Sequence, residues 1–408
     1  MELLQTNPFE QIDFPRPLRI LGVHPNMGGC AYYRCINPLT KLGQLYPQWV
    51  EVRLDDNPLG FNLEKAKLTG DPRTPDWPFE NLKWADVVFI NNISNFGGEY
   101  TATVLGKAKE FGKFVHVDTD DLLTNLYEEH RLYGVYKERQ LDEITKFLYN
   151  HADLVSVTQK KFMERIAPFC AKFLAILPNC IDYELPGWKA PKLKTKACKI
   201  GWAAGIHHAP DVKIFAGIPH LVNQKVGAEN VRWDFYGHPP PPKPGEKKDW
   251  QHDVWVEYKN NLLASFKGKR NWDIHYALPT DQYGVMLANI DISIAPLAMN
   301  MFNDSKSSIK VAECAAYKIP LVASNVGCYD EYIVNGETGY LIEPGAPKTK
   351  WVDALARLVK DRSLRERMGE NMGRYRDMFD LNKVVIQRLI LYKTIFHQIG
   401  FKPASWAQ

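Results

Sequence analysis

Short apolar runs alternate with amphipathic helical stretches along this chain, and the alternation happens twice. That rhythm limits the fold more than any other feature, because strands separated by helices pair in parallel and need helices on the faces of the sheet. The first series consists of 18–23 followed by runs at 86–90, 114–117, 153–157 and 173–177. The second consists of runs at 200–203, 231–236, 272–276, 290–294 and 319–323. Between them residues 183–199 are rich in proline and lysine with little periodic apolar signal, which predicts an interdomain linker. A chain of 408 residues exceeds what one core supports, so two α/β domains of roughly 180 to 200 residues each are expected.

Composition narrows the function. Hydrophobic residues make up 45% and charged residues 24%, as in ordinary globular proteins. No apolar run of about 18 residues occurs and the first residues lack a signal-peptide pattern, so a cytoplasmic protein is expected, in the host cytoplasm if the chain is viral. The seven cysteines are scattered without a C-x-x-C pair, which suggests neither a disulfide framework nor a zinc site. Charge is uneven: 20 Lys+Arg against 23 Asp+Glu up to Cys180, and 31 against 24 from Ile181. A basic second half suits a polyanionic ligand such as a nucleoside diphosphate, or a nucleic acid. The proline-rich run 239–248 reads as an exposed loop. From Trp351 the chain reads as helical with breaks near 361–363 and 379–381. Its last stretch, 382–398, brings Val384, Val385, Leu389, Ile390 and Ile395 near one face.

Four segments can carry chemistry. In the loop after the first strand, Gly28 and Gly29 let backbone N–H groups approach a ligand, with a helix N-terminus behind them; a plain βα turn is the alternative. The second half opens on the same plan, with Gly205 in its loop and His207 and His208 as donors or merely surface residues. In Asn303-Asp-Ser-Lys-Ser-Ser308, Lys306, Ser307 and Ser308 fall in the first turn of a predicted helix, where unpaired N–H groups and a lysine make a phosphate cradle. Further along that helix Glu313 lies among small apolar residues. A ligand's hydroxyl pair would justify it there, as would an ion pair with Lys310 or Lys318. Finally, His116, Asp118, Asp120 and Asp121 gather at the C-terminal end of a predicted strand, a usual ligand position. They read as a ligand or metal site, or as a helix N-cap with solvated acids.

In order, these residues resemble a nucleotide-sugar glycosyltransferase of the GT-B fold, most like retaining glycosyltransferase family 4. The resemblance is strongest over Asp291-Ile-Ser-Ile-Ala-Pro-Leu297, the run from Phe302 to Glu313, Tyr317-Lys-Ile-Pro-Leu-Val-Ala-Ser324 and Gly336-Glu-Thr-Gly-Tyr-Leu341; Pro178-Asn-Cys-Ile-Asp182 matches the family's P-N-x-I-D hinge. It implies two Rossmann-like domains whose parallel sheets face across a cleft: an acceptor domain over 1–180, a hinge over 181–199, a donor domain over 200–378, and a C-terminal helix in 379–408 returning to the first. The resemblance implies that Glu313 binds the donor ribose, that Gly28 and Gly29 face the diphosphate and sugar, and that His116 and Asp118 lie on the acceptor side as catalytic groups. Gly205, His207, Asn303, Lys306, Ser307 and Ser308 complete the donor set. Two departures stand out: Ser305 occupies a position where the family has glutamate, and 201–209 hold no arginine or lysine. Lys306 and its helix N-terminus are therefore expected to neutralise the phosphates.

The implied donor is a nucleoside-diphosphate sugar, UDP favoured over GDP, with no prosthetic group and no metal, and transfer with retention. The runs at 28–34 and 306–310 look like those of phage-encoded members, so the acceptor is either a hydroxymethylated pyrimidine in DNA or a glycan or lipid-linked precursor. A sugar-nucleotide epimerase of the same fold is the rival enzyme. A phosphorylase would need a pyridoxal-phosphate lysine motif that is not found, and a non-catalytic nucleotide-binding protein is the remaining reading.

Overall fold

The ten predicted strands are present, joined by two more, in two separate parallel sheets. A computed structural model describes residues 14–26, 28–59, 79–193, 195–205, 208–238, 250–264, 266–268 and 270–406. The first sheet contains β1 (Leu18–Val23), β2 (Val50–Asp55), β3 (Val87–Asn91), β4 (Phe114–Asp118), β5 (Leu154–Val157) and β6 (Phe173–Ile176), ordered β2-β1-β3-β4-β5-β6. The second contains β7 (Cys198–Ala203), β8 (Val231–His238), β9 (Trp272–Tyr276), β10 (Ile292–Ala295), β11 (Leu321–Ser324) and β12 (Gly339–Ile342), ordered β12-β11-β10-β7-β8-β9. All pairings are parallel. The two unpredicted strands, β2 and β12, are edges. Glu51, Arg53 and Asp55 interrupt any apolar run in β2, while β12 is four residues long and starts on glycine.

The chain divides into two units. One comprises Met1–Asn125, Gly134–Cys180 and Asp380–Gln408; the other comprises Leu126–Tyr133 and Ile181–Phe379. In the first, inner strands β3 and β4 are buried at every position, as a sheet covered on both faces requires. Its core is closed by the last helices: Leu381, Val385, Leu389, Tyr392, Ile395 and Phe396 pack with Leu18, Ile20, Phe89 and Phe114. The helical stretch predicted over 382–398 is interrupted, forming Leu381–Val384 and Gln387–Ile399. Ser405 then fastens the chain end, donating to Asp86 through Oγ at 2.6 Å and through its backbone N–H at 3.0 Å.

The second unit has its own core, built on Ile200, Trp202, Trp233, Phe235, Ile292, Ile294 and Leu355. The stretch 183–199 carries aromatic anchors into this unit. Tyr183 and Trp188 are buried, and the Tyr183 hydroxyl donates to Ala312 O at 2.9 Å. A Cβ on Gly187 would stand 2.3 Å from Asp281 O, so only glycine fits that crossing. Among the described residues no helix is long and apolar enough to cross a membrane. The loop predicted at 239–248 lies outside the described residues.

Candidate active site

Loops leaving the C-terminal ends of the strands carry most of the candidate residues. In the second unit Asp211, only 1% exposed, organises this end of the sheet by accepting three hydrogen bonds. Its donors are Ala298 N at 2.7 Å, Asn303 Nδ2 at 3.0 Å and His208 Nδ1 at 2.7 Å. Asn303 also donates to Ala298 O at 2.9 Å. Asn303 is thus a buried strut joining the loop after β10 to helix Ala209–Phe215.

Lys306 follows that strut. Its ammonium donates to His208 Nε2 at 3.4 Å and lies 5.3 Å from the Phe302 ring centre. Burial, then the charge of Lys306, pushes the His208 pKa down to about 4. The ring is therefore neutral at physiological pH, with Nδ1 as donor to Asp211 and Nε2 as acceptor. Lys306, Ser307 and Ser308 do not form the first turn expected of them: the helix begins at Ile309, Lys306 and Ser307 precede it, and Ser308 is its N-cap, with no side-chain capping bond. Ser305 turns inward, its hydroxyl donating to Met301 O at 2.8 Å.

Glu313 sits on the same helix, 3% exposed and 2.8 Å from Lys310 Nζ, which also donates to the Tyr283 hydroxyl at 3.1 Å. Burial lowers the Lys310 pKa, but Glu313 and Tyr283 outweigh it and keep the ammonium above its ordinary value. Lys310 is therefore the ion-pair partner of Glu313, and Lys318 pairs with Glu370 at 2.7 Å. Gly205 is exposed, with nothing within 4 Å of where its Cβ would stand. His207 lies outside the described residues.

In the first unit the candidates separate. His116 and Asp118 are fully buried. Arg34 grips both carboxylate oxygens of Asp118, at 2.7 and 2.6 Å, and donates to Leu177 O and Asn179 Oδ1. Ser156 Oγ donates to Asp118, so His116 Nε2 donates to Ser156 Oγ at 2.8 Å, and the Tyr392 hydroxyl at 2.7 Å donates to His116 Nδ1. Burial holds the His116 pKa down to about 3. Every polar group in this chain of contacts is satisfied internally, which makes it a core network. His116 and Asp118, expected as catalytic groups, are thus both enclosed, with their polar atoms engaged inside the unit.

Asp120 and Asp121, two and three residues beyond, are half-buried beside the glycine loop. Cys30 Sγ lies 3.8 Å from Asp121 Oδ2. Burial, then the neighbouring Asp121 charge, pushes the Asp120 pKa up to about 7. No helix begins at these acids, so the N-cap alternative is not realised. The ligand atoms of Cys30, Asp120 and Asp121 fall within 4.8 Å of one another, as do those of Asp234, Asp273 and His275. The second group is occupied by ion pairs with Arg232 and Lys199. Gly28 and Gly29 are exposed at the start of the helix; Gly28 N donates to Asn26 Oδ1 at 2.7 Å, and nothing lies within 4 Å of a Cβ on Gly29.

Asp211 was not among the candidates read from sequence, and His208 was read there only as a donor or a surface residue. The available signal was a histidine at a helix start with aspartate three residues on, but nothing in that spacing announces Lys306, 98 residues away.

Residues 255–374 match the family model described as glycosyl transferases group 1. Two similar curated proteins are a D-inositol 3-phosphate glycosyltransferase of Corynebacterium glutamicum (strain R) and the capsular polysaccharide biosynthesis glycosyltransferase CapM of Staphylococcus aureus. The first is 33% identical over 96 residues, 24% of this chain and 22% of that protein. The second is 39% identical over 64 residues, 16% of each chain. The chain thus spans about a fifth of the length of the curated relatives it matches. Among solved structures, the sucrose-phosphate synthase of Thermosynechococcus elongatus aligns over 94% of this chain and 100% of its own, with a TM-score of 0.61 and 13% identity. HepE of Anabaena, in complex with UDP and glucose, aligns over 92% and 99%, with a TM-score of 0.60 and 13% identity. The architecture is the two-domain GT-B fold.

Proposed function

We propose that this chain, a GT-B protein whose residues 255–374 match the group 1 glycosyl transferases, transfers a sugar from a nucleoside-diphosphate sugar to an acceptor hydroxyl. One observation carries the reading: a single helix bears an uncapped N-terminus with Lys306 and His208 beside it, and a buried carboxylate, Glu313, one turn further along. Phosphates fit the first group and ribose hydroxyls the second. On taking up a proton at Nε2 as the diphosphate arrives, His208 supplies a donor where the arginine or lysine usual in similar proteins is missing. Gly205 leaves space for close backbone approach.

In the proposed reaction the bond between the anomeric carbon and the β-phosphate oxygen breaks, and the acceptor oxygen bonds to that carbon. The acceptor proton passes to the departing phosphate, and configuration is retained. Lys306, His208 and the helix N-terminus stabilise the negative charge that grows on the leaving diphosphate. Asp120, with a pKa about 7, is the acid of the first unit suited to exchange a proton near neutrality. His116 and Asp118 act by fixing the strand that leads to it.

UDP is favoured because HepE, similar over nearly the whole chain, was solved with UDP. For the acceptor, a glycan or small polyol hydroxyl is favoured by the activities for which the curated relatives are named. The decisive experiment is a thermal-shift screen of UDP, GDP and their sugars, followed by transfer assays with Lys306→Ala. A melting shift with UDP that Lys306→Ala removes, together with a transfer rate at least tenfold lower, supports the assignment. Unchanged transfer in that variant would sink it. Turnover on hydroxymethylated DNA that falls steeply with salt would move the acceptor to nucleic acid.

A further inference from the structure

The second unit has another concave feature at the opposite end of its sheet. A cavity of about 910 Å³ opens beside Cys198, Asp291 and Pro320. These residues begin or immediately precede β7, β10 and β11. Gly205, Ala298 and Lys306 instead follow the C-terminal ends of β7 and β10. Helix Ile309–Tyr317 spans the interval, with Ser308 at the candidate donor site and Tyr317 in the cavity wall. Nine residues of helix separate the two by roughly 13 Å.

Seven lysines and arginines line this cavity against three carboxylates. Some of that charge is internally engaged. Lys318 pairs with Glu370, Arg362 pairs with Glu366, and Arg365 donates to Leu358 O at the end of the preceding helix. Among the described residues Lys192, Lys196, Lys360 and Arg367 are exposed and none is in a contact ion pair, although Asp291 and Glu366 act on Lys192 at longer range. These four come from two separate segments, the stretch before β7 and the two helices Lys348–Lys360 and Arg362–Gly373. Solvated surface lysines normally spread apart to reduce repulsion, so their convergence on one concavity is costly unless an anion is shared.

We propose that this cavity binds a compact ligand bearing several phosphate charges, at a site separate from the nucleotide-sugar site. The volume is that of a small-molecule pocket. Leu193, Val226 and Val359 give it an apolar wall, and Tyr317 is its one aromatic side chain, with its hydroxyl already donating to Gly187 O at 3.2 Å. A nucleic-acid strand would call for a longer track and several stacking rings.

Calorimetric titration of the full chain with inorganic tripolyphosphate, in the presence of saturating UDP, tests this. Lys196→Glu/Arg367→Glu should weaken tripolyphosphate binding at least tenfold and flatten its salt dependence. The milder Lys196→Gln/Arg367→Gln pair should weaken it less, while Lys306→Ala, tested without UDP, should retain it. Because both altered positions are exposed, melting curves of the variants should match the parent. Equal weakening by Lys267→Glu/Lys350→Glu, two exposed lysines elsewhere on the unit, would overturn the proposal in favour of diffuse charge. So would an unaffected titration in the first variant. A single-stranded oligonucleotide that bound more tightly than tripolyphosphate, through the same residues, would overturn the compact-ligand assignment.

Discussion

Glu313 serves two partners in the proposed function, and they can be separated. Glu313→Gln leaves the Lys310 ammonium, 14% exposed, without its counter-ion; breaking a buried pair costs about 3 kcal/mol. It also removes a charged acceptor for ribose, worth about 1.5–3 kcal/mol, or at least a tenfold loss of UDP affinity. In Lys310→Met/Glu313→Gln the denaturation midpoint should largely recover while UDP binding stays weak. Affinity that returned together with stability would remove Glu313 from the nucleotide site. His208 gives a pH signature. Its pKa of about 4 without ligand must rise when a diphosphate arrives, so binding takes up a proton and UDP affinity gains as pH falls from 7.5 towards 5.5. Calorimetry on the parent and His208→Gln should show this gain in the parent alone, since protonation of the phosphate is common to both. For Asp120 the sign is the reverse of an ordinary salt-bridged carboxylate. Its folded pKa, about 7, lies above its unfolded value, so its contribution is full in acid and is lost as pH rises through about 7. Asp120→Asn should therefore raise Tm by roughly 2–4 °C at pH 8 and have little effect at pH 4.

At the scale of elements, the C-terminal helix Gln387–Ile399 completes the first sheet's cover. Tyr392 is both a core ring beside Phe114 and Phe396 and the hydrogen-bond donor to His116. Tyr392→Phe should cost about 1 kcal/mol, the hydrogen bond alone, whereas Tyr392→Ala should cost about 3–5 kcal/mol through the cavity it opens. Equal losses in chemical denaturation would show that the ring is not packed as described. Element type was legible wherever the signal was local. A strand such as β3, buried throughout and apolar from Val87 to Ile90, announces itself as an apolar run. The edge strand β2 alternates charge with Val50, Val52 and Leu54, and its identity comes from pairing with β1. The helix from Ile309 was readable from the small residues of its buried face and the serines before it.

For the whole molecule, separate cores predict separate unfolding. Scanning calorimetry should resolve two transitions. UDP at a hundred times its dissociation constant should stabilise one of them by about 2.7 kcal/mol and leave the other in place. A joint shift of both would show a single cooperative body instead. The sequence by itself determined the two α/β units, the strand rhythm and the helix that carries Glu313, because each depends on residues close together in the chain. Only the tertiary structure decided between the acids at and just beyond the end of β4. Asp118 is claimed by Arg34, 84 residues away, and its neighbour His116 by Tyr392, 276 residues away, whereas Asp120 is left half-buried beside Cys30. Burial and long-range partners set a carboxylate's charge, and neither can be read from the residues that flank it.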